Sequence, residues 1–559
     1  MTNRRSFLVV CSLLLLVALA FRVAVARYLA NDAPDDGRVY AQIARNILEQ
    51  HIYSANAEPP FNPTLIRLPG YPLFLATIYS VFGHTNNTAV RITHALIDTA
   101  SCVLIALIAF HWEPEKRRKR AAAIAALSFA AVCPFTTIYT ATILTETITV
   151  FLALAMCLTT TLAFKEPAFK RSALLWLATG LIAGIAVFFR PDSGLFALAI
   201  GLTLVGDALL RPRWQVDASN KLQIQARVKK ALLLGSIFSV AFCLVLMPWT
   251  IRNWRLFHVF QPLAPAHAEM PGEFVPRGYL AWLRTWIEDQ RYIGPVLWQL
   301  DQASIHVDDF PDSAFDSDQE RKQVATLLEQ YNHPNGEPTT TPVVSATPVP
   351  TPTPDSKPNT SHQANSANEE AEQDQESADE DTQAAEESQQ EEQPEEPQNV
   401  EMTPEIDAAF GRIAHERISR SPIRYYLQLP FRRAVSLWFD THSEYYPFEG
   451  ELLPFEDLDY DIHQQLWLPL FAGLTWVYTL LGLAGAWLLW RSPDFITRRW
   501  VVLAGLLIFL RLGFFATLEN PEPRYVVEIF PFLSVLGGIA VVQLSEFINR
   551  RLRMRPRVQ

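Results

Sequence analysis

Ten apolar runs, most of about twenty residues, recur along the chain between short polar segments: about 6–29, 88–110, 121–139, 143–164, 172–189, 192–210, 231–250, 466–490, 500–518 and 525–547. A bilayer core of ~30 Å takes about 20 apolar residues in helical form, so each run predicts a membrane-crossing helix. The first run follows MTNRR and has the look of a secretory leader. It is longer than the ~7–15 apolar residues of such a leader, which predicts a retained helix. The stretch 63–83 is apolar too, but Pro69 and Pro72 flank its start and about 14 residues remain before Gly83. That is too short to cross, and predicts a helix lying at the membrane surface.

The polar segments assign the two sides. Arg4 and Arg5, the loops 115–120, 165–171, 211–230 and 491–499, and the tail 549–557 together hold 24 of the 47 Lys/Arg, all on one side if each of the ten runs crosses. Basic excess marks the cytoplasmic side, so both termini are expected there. Three segments then face outward: about 30–87, the turn near 139–146, and 251–465. The expected plan is an N-terminal transmembrane module (1–250) with its first outer loop at 30–87, and C-terminal helices with a basic tail (466–559). Between them comes a small external subdomain in two parts (251–333 and 402–465) around a linker (334–401). Residues 334–358 contain eight Pro, and 369–401 contain 15 Asp/Glu without a single Lys or Arg. Such composition predicts disorder in the linker. Its flanks, 273–332 and 402–465, instead carry Trp, Tyr, Phe and Leu at helical spacings. The fold class is therefore an all-α polytopic membrane protein of about ten transmembrane helices with outer juxtamembrane helices.

Composition adds to this in one respect. Hydrophobic residues make up 49% and charged residues 19%, against about 25% charged in soluble domains. The net charge of -11 belongs to the linker, because the remainder without the 15 acidic residues carries +4. No basic domain stands apart, which argues against nucleic acid as a partner. All five cysteines lie in the apolar runs, so neither a disulfide framework nor a Cys-based zinc site is expected. No GxxxxGK[ST], GxGxxG or GxSxG occurs, which leaves ATP hydrolysis and serine-hydrolase chemistry without support.

Candidate chemistry gathers where the runs end on the outer side. Asp35 and Asp36 open the amphipathic segment after the first run. They read either as helix-capping carboxylates or as a general base at the membrane surface. Arg67 precedes the surface stretch and reads as an anchor or as a cation for a phosphate-linked substrate. Glu146 is the only acid in the third and fourth runs and the turn that joins them, and a carboxylate so near the membrane has a partner or a task. Further charges stand at Arg190 and Asp192, at Arg252 and Arg255, and in 519–528, which holds Glu519, Glu522, Arg524, Tyr525 and Glu528. This distribution points to a site at the outer surface rather than a midplane pore. Other residues read as structural. Arg91, His94 and Asp98 share a helix face and suit an internal ion pair. Arg511 pairs with another span or snorkels. Trp282, Trp286 and Trp298 suit the core of the external subdomain. The run 439–450 reads as an acceptor entrance or an interfacial aromatic belt.

The segments DDGRVYAQIARNIL (35–48), RLPGYPLFLATIYSVFG (67–83), TILTETITVF (142–151), FFRPDSG (188–194), MPWTIRNW (247–254) and ENPEPRYVVEIFPFL (519–533) occur in that order. In this the membrane portion resembles the C-type glycosyltransferase superfamily (GT-C), specifically bacterial relatives of protein O-mannosyltransferases and aminoarabinose transferases. The resemblance does not extend to 273–465. It implies an integral-membrane hexosyl- or pentosyltransferase of a bacterial inner membrane. The enzyme would move a sugar from a polyprenyl-phosphate donor to a protein, lipid or glycan acceptor at the outer face, with inversion. By resemblance Asp36, with Tyr40 four residues on, matches the catalytic base, Asp35 is the adjacent candidate, and Glu146 matches the second-loop acid. Arg67, with Arg190, Arg252 or Arg524, would meet the lipid phosphate. Arg524 and Tyr525 match an Arg-Tyr pair before the last span, close to Glu519. Asp-Asp-Gly stands where relatives often have Asp-Glu, which leaves the base open between Asp35 and Asp36. Two carboxylates in one site would raise one pKa toward a useful value. Some relatives use a divalent cation, for which Asp35, Asp36 and Glu146 are the candidate ligands. The alternatives are a transporter or flippase of lipid-linked sugars, which should carry broken helices and midplane polar groups, and a non-catalytic assembly protein.

Overall fold

The computed structural model describes residues 4–30, 35–83, 85–210, 220–334, 400–441, 443, 446 and 462–554. The linker expected at 334–401 falls almost wholly outside them. Among the described residues the regular structure is helical, with no strand. Each of the ten apolar runs is found in helix. They correspond to α1 (Arg4–Tyr28), α4 (Asn87–Trp112), α5 (Lys119–Ala131) with α6 (Pro134–Thr137), α7 (Glu146–Lys165), α8 (Phe169–Phe189), α9 (Gly194–Leu210), α10 (Asn220–Phe257), α12 (Ile462–Trp490), α13 (Phe495–Phe515) and α14 (Phe530–Met554). Shorter helices are α2 (Asp35–Glu49), α3 (Gly70–Phe82) and α11 (Leu429–Phe439). At 13 residues α3 is ~20 Å long, too short to cross.

Eight of the described helices are long and apolar enough to span a membrane, or nine if the bent pair at α5–α6 is one span. The ninth expected span, α13, is the one left out, and it carries Arg498, Arg499 and Arg511. Two of these are neutralised inside the protein. Arg499 pairs with Asp207 at 2.8 Å, and Arg511 pairs with Asp192 and Glu528 at 2.6 and 2.9 Å. An apolar helix tolerates such charges when each meets a counter-charge in the bundle interior.

The break between α5 and α6 has a local cause. Pro134 begins α6 and has no N–H to offer the Ala130 carbonyl, and the chain bends by 50° there. Arg22 of α1 supplies the missing donors. Its guanidinium donates to Ala130 O at 3.0 Å and to Ala131 O at 3.1 Å, while Nε donates to Asp98 Oδ2 at 2.7 Å. The ion pair expected of Asp98 is thus found, with α1 as its partner. Arg91 donates to Ala141 O at 2.8 Å instead, and His94 Nε2 lies 3.4 Å from the Tyr71 hydroxyl.

The core of the bundle centres on α14, which packs on α4, α5 and α12. Gly485 makes the closest approach: a Cβ there would lie 2.0 Å from the Leu536 carbonyl oxygen, so α12 and α14 meet only because that position has no side chain.

The chain forms two compact units, one of 1–293 with 410–559 and one of 294–409. The flanks expected in the external subdomain therefore divide. Tyr279 and Trp282 stay in the larger unit, where their rings lie 5.0 and 5.1 Å from that of Phe410. Trp282 and Trp286 are buried there, whereas Trp298, expected in a core, is 47% exposed. Within the smaller unit, Val324, Leu328 and Tyr331 of the helix Asp318–Asn332 are buried. The Tyr331 hydroxyl donates to Ala303 O and accepts from Asp301 N, and Asn332 bonds both ways with the Ile305 backbone.

Candidate active site

Polar residues from four parts of the sequence meet at one end of the bundle. Asp36 lies in the first turn of α2. Arg67 stands in the loop before α3, and this loop is tied to α2 by Asn46 Nδ2, which donates to Ser54 O and Asn56 O, both at 2.8 Å. The Tyr53 hydroxyl donates to Arg67 O at 3.0 Å and fixes the arginine's backbone. Arg524 belongs to the 3₁₀ segment Pro523–Ile529, whose start is capped by the Glu522 carboxylate. The two guanidiniums converge on one carboxylate: Arg67 Nη2 donates to Asp36 Oδ1 at 2.8 Å and Arg524 Nη2 to Asp36 Oδ2 at 3.1 Å.

A second chain of charges runs inward from there. Arg190, just past α8, donates to Glu146 Oε1 at 2.6 Å and to Asp192 Oδ1 at 3.1 Å. Asp192 Oδ2 meets Arg511, which meets Glu528, and Glu528 Oε1 accepts from Thr149 Oγ1 at 2.9 Å. Arg511 Nε also donates to the Tyr525 carbonyl at 2.6 Å, so α13 holds the segment that carries Arg524. Tyr525 joins the two groups, with the Arg190 and Arg524 guanidiniums 5.4 and 5.2 Å from its ring centre. The Tyr40 ring lies 5.9 Å from the Arg67 guanidinium and makes an edge contact with Tyr71 at 5.1 Å.

Exposure separates the two groups. The Asp36 side chain is 30% exposed and that of Glu146 3%. A reacting hydroxyl can reach Asp36, while Glu146 is enclosed with Arg190. Desolvation alone would raise the Asp36 carboxyl, but the guanidiniums of Arg524 and Arg67 outweigh it and hold the carboxyl below its usual range. This corrects the expectation of a raised value from paired carboxylates: the neighbours found are cations. Burial, and then the Asp36 charge, push the Tyr40 phenol up to about 12, so it remains a protonated donor.

The structure thus brings together Asp36, Tyr40, Arg67, Glu146, Arg190, Arg524 and Tyr525. It sets two expected residues apart. Arg252 donates to Thr64 O and Asn253 Oδ1, and its guanidinium lies 4.5 Å from the Trp249 ring centre. Glu519 pairs with Arg284 at 2.6 Å. The side chain of Asp35 lies outside the described residues, as does most of 439–450, although Ser443 Oγ donates to Glu522 Oε1 at 2.5 Å. Asp192, Arg511, Glu528 and Thr149 join the site by packing. The sequence signal for Arg511 was its isolation as a charge within an apolar run.

No group of three His, Cys, Asp or Glu side chains among the described residues is placed to hold a metal ion. Both oxygens of Asp36 and one of Glu146 face arginine, an arrangement that suits an anion and disfavours a divalent cation.

These observations define an all-helical polytopic membrane protein with a cationic, carboxylate-bearing cluster at one end of its bundle. Residues 62–222 match the model of the family described as dolichyl-phosphate-mannose-protein mannosyltransferase, a stretch that includes Arg67, Glu146 and Arg190 but neither Asp36 nor Arg524. No curated protein matches the chain. Similar solved structures include the Archaeoglobus fulgidus oligosaccharyltransferase tethered to an acceptor peptide containing the NVT sequon, at 10% identity and TM-score 0.48, covering 99% of this chain and 51% of that one. The archaeal oligosaccharyltransferase AglB from the same organism, in complex with an inhibitory peptide and a dolichol-phosphate, is 9% identical with a TM-score of 0.43, covering 98% and 52%. ArnT from Cupriavidus metallidurans bound to undecaprenyl phosphate is 12% identical with a TM-score of 0.31, covering 98% and 80%. The chain spans about half the length of the oligosaccharyltransferase chains it matches.

Proposed function

We propose that the protein is an inverting glycosyltransferase that takes a sugar from a polyprenyl-phosphate donor and passes it to an acceptor hydroxyl at the outer face of a bacterial inner membrane, with both termini cytoplasmic. The observation that carries this reading is the convergence of Arg67 and Arg524 on the half-exposed Asp36. Two guanidiniums and a carboxylate lie within ion-pair distance, which supports a phosphate site with a base beside it. The family description of 62–222, with its lipid-phosphate-mannose donor, supports it.

In this reading the donor's prenyl tail lies along the apolar helices and its phosphate meets Arg67 and Arg524. Asp36 takes the proton of the acceptor hydroxyl as that oxygen bonds to the anomeric carbon. The bond from that carbon to the phosphate oxygen breaks with its electron pair, and polyprenyl phosphate leaves. Guanidiniums stabilise the charge that grows on the leaving phosphate. The energy is supplied by the phosphodiester, so no nucleotide site is needed. Glu146 acts on this centre as a positioning residue by fixing Arg190 beside Tyr525.

The test is transfer from a panel of labelled polyprenyl-phosphate sugars into membranes at equal expression. Asp36→Asn should lose about 10²–10⁴-fold, the scale of a general base, while Glu146→Gln retains more than about a tenth of the rate. Retained transfer by Asp36→Asn removes the base assignment. Movement of donor across vesicles without transfer favours a flippase.

A further inference from the structure

We infer that Asp36 is the resident stand-in for the donor phosphate: it occupies the Arg67–Arg524 cradle at rest, and an arriving lipid phosphate displaces it and so frees it to act as base. This rests on the donor class proposed above and adds how the site is regulated. The geometry supplies the first argument. Two guanidiniums each donate to a separate oxygen of one carboxylate, at 2.8 and 3.1 Å. That is the arrangement in which two arginines hold two oxygens of a phosphate. While Asp36 fills it, a phosphate cannot take both arginines. While the arginines hold Asp36, its two oxygens are turned toward cations rather than toward an acceptor hydroxyl.

Exposure supplies the second argument, because it shows which ion pair can exchange. The side chains of Arg67 and Asp36 are 24% and 30% exposed and that of Arg524 is 9% exposed, so the cradle opens to solvent on its Asp36–Arg67 side. Half-exposed pairs are weak and exchange readily with solvent and ions. The neighbouring Glu146–Arg190 pair is 3% and 11% exposed, and Arg511 is fully enclosed. Opening those would leave buried charges without partners, at far greater cost. The exchangeable pair and the locked pairs therefore lie side by side. The locked set fixes Tyr525 and the Arg524 backbone, and Tyr53 fixes the Arg67 backbone, so the cradle keeps its shape while its occupant changes.

The consequence is an ordered reaction. Before the donor binds, Asp36 is a poor base, which limits idle proton transfer. Once the phosphate has taken the arginines, Asp36 sits beside the donor's anomeric carbon without its counter-charges and gains basicity. Proton transfer to Asp36 then removes a negative charge from beside the cradle as the leaving phosphate gains one.

The experiment is equilibrium binding of a sugar-free polyprenyl monophosphate to full-length protein in detergent, comparing wild type with Asp36→Asn. Displacement predicts about tenfold tighter binding by Asp36→Asn, the scale of one half-exposed ion pair, together with loss of transfer. Asp36→Ser should bind more tightly in the same way. Thermal unfolding within a few degrees of wild type confirms that each variant is folded. Unchanged or weaker binding by both folded variants overturns the displacement and leaves the donor reading in place. No binding by wild type or by either variant overturns the donor reading itself.

Discussion

Arg511→Met tests whether the buried charges behind the site act as a structural clamp. Arg511 is 0% exposed and its guanidinium serves three partners: Asp192 at 2.6 Å, Glu528 at 2.9 Å and the Tyr525 carbonyl at 2.6 Å. Methionine preserves much of the apolar volume but leaves two carboxylates short of a counter-charge. Asp192 keeps Arg190 at 3.1 Å, so most of the loss falls on Glu528 and on the freed carbonyl. Removing one partner of a buried pair costs about 3–5 kcal/mol. With two pairs affected and one partly compensated, the expected loss is ~4 kcal/mol. The double variant Arg511→Met/Glu528→Gln removes the orphaned charge and should recover ~1–3 kcal/mol, a coupling typical of direct contacts. The assay is unfolding of the full-length protein in mixed micelles on titration with a denaturing detergent, followed by tryptophan fluorescence. A loss under about 1 kcal/mol in Arg511→Met, or a double variant no more stable than the single, would refute the clamp.

Two further outcomes follow from the geometry of the cradle. A Cβ on Gly70 would lie 2.6 Å from the Phe188 carbonyl oxygen, about 0.8 Å inside ordinary contact. Gly70→Ala should therefore push α3 off the end of α8, moving Arg67 relative to Arg190, and lower kcat by about 10²-fold, as expected of a 1 Å misplacement; transfer within threefold of wild type would show that the loop absorbs the shift. The pH profile should also divide. In the free enzyme Arg67 and Arg524 face Asp36, with Tyr40, Glu146 and Arg190 beyond them, and the lowered carboxyl keeps kcat/KM free of an acid limb from Asp36 until pH falls beneath ~3.9. In the donor complex the displaced Asp36 should place the acid limb of kcat at higher pH. Coincident limbs would argue that the arginines never leave it. The same lowered pKa stabilises the fold at neutral pH, and that contribution is lost as pH falls from ~3.9 through the folded value.

The apolar runs were legible because length and hydropathy are properties of a local stretch, and all ten appear as helix, even α13 with its arginines. The ends of those runs also placed Asp36, Arg67, Glu146, Arg190 and Arg524 at one level, since depth in a bilayer is set by position along a span. What neighbours what at that level depends on the order in which helices pack, and this has no local trace. Asp36 finds one arginine 31 residues away and the other 488 away, and Glu528 finds Thr149 across 379. For this reason the Asp36 carboxyl lies low rather than high: packing sets it between two guanidiniums that its sequence neighbours do not indicate. Arg252 failed in the complementary way. It has the right depth and charge, but Trp249 and Asn253 on its own helix, with Thr64 and Tyr53, engage it before it can face Asp36. A charge at a span end is thus a candidate ligand only when its own helix leaves it unengaged. By that criterion Arg67, on the half-exposed Asp36, is the cation best able to meet a substrate phosphate, with the buried Arg524 behind it on the other oxygen of the same carboxylate.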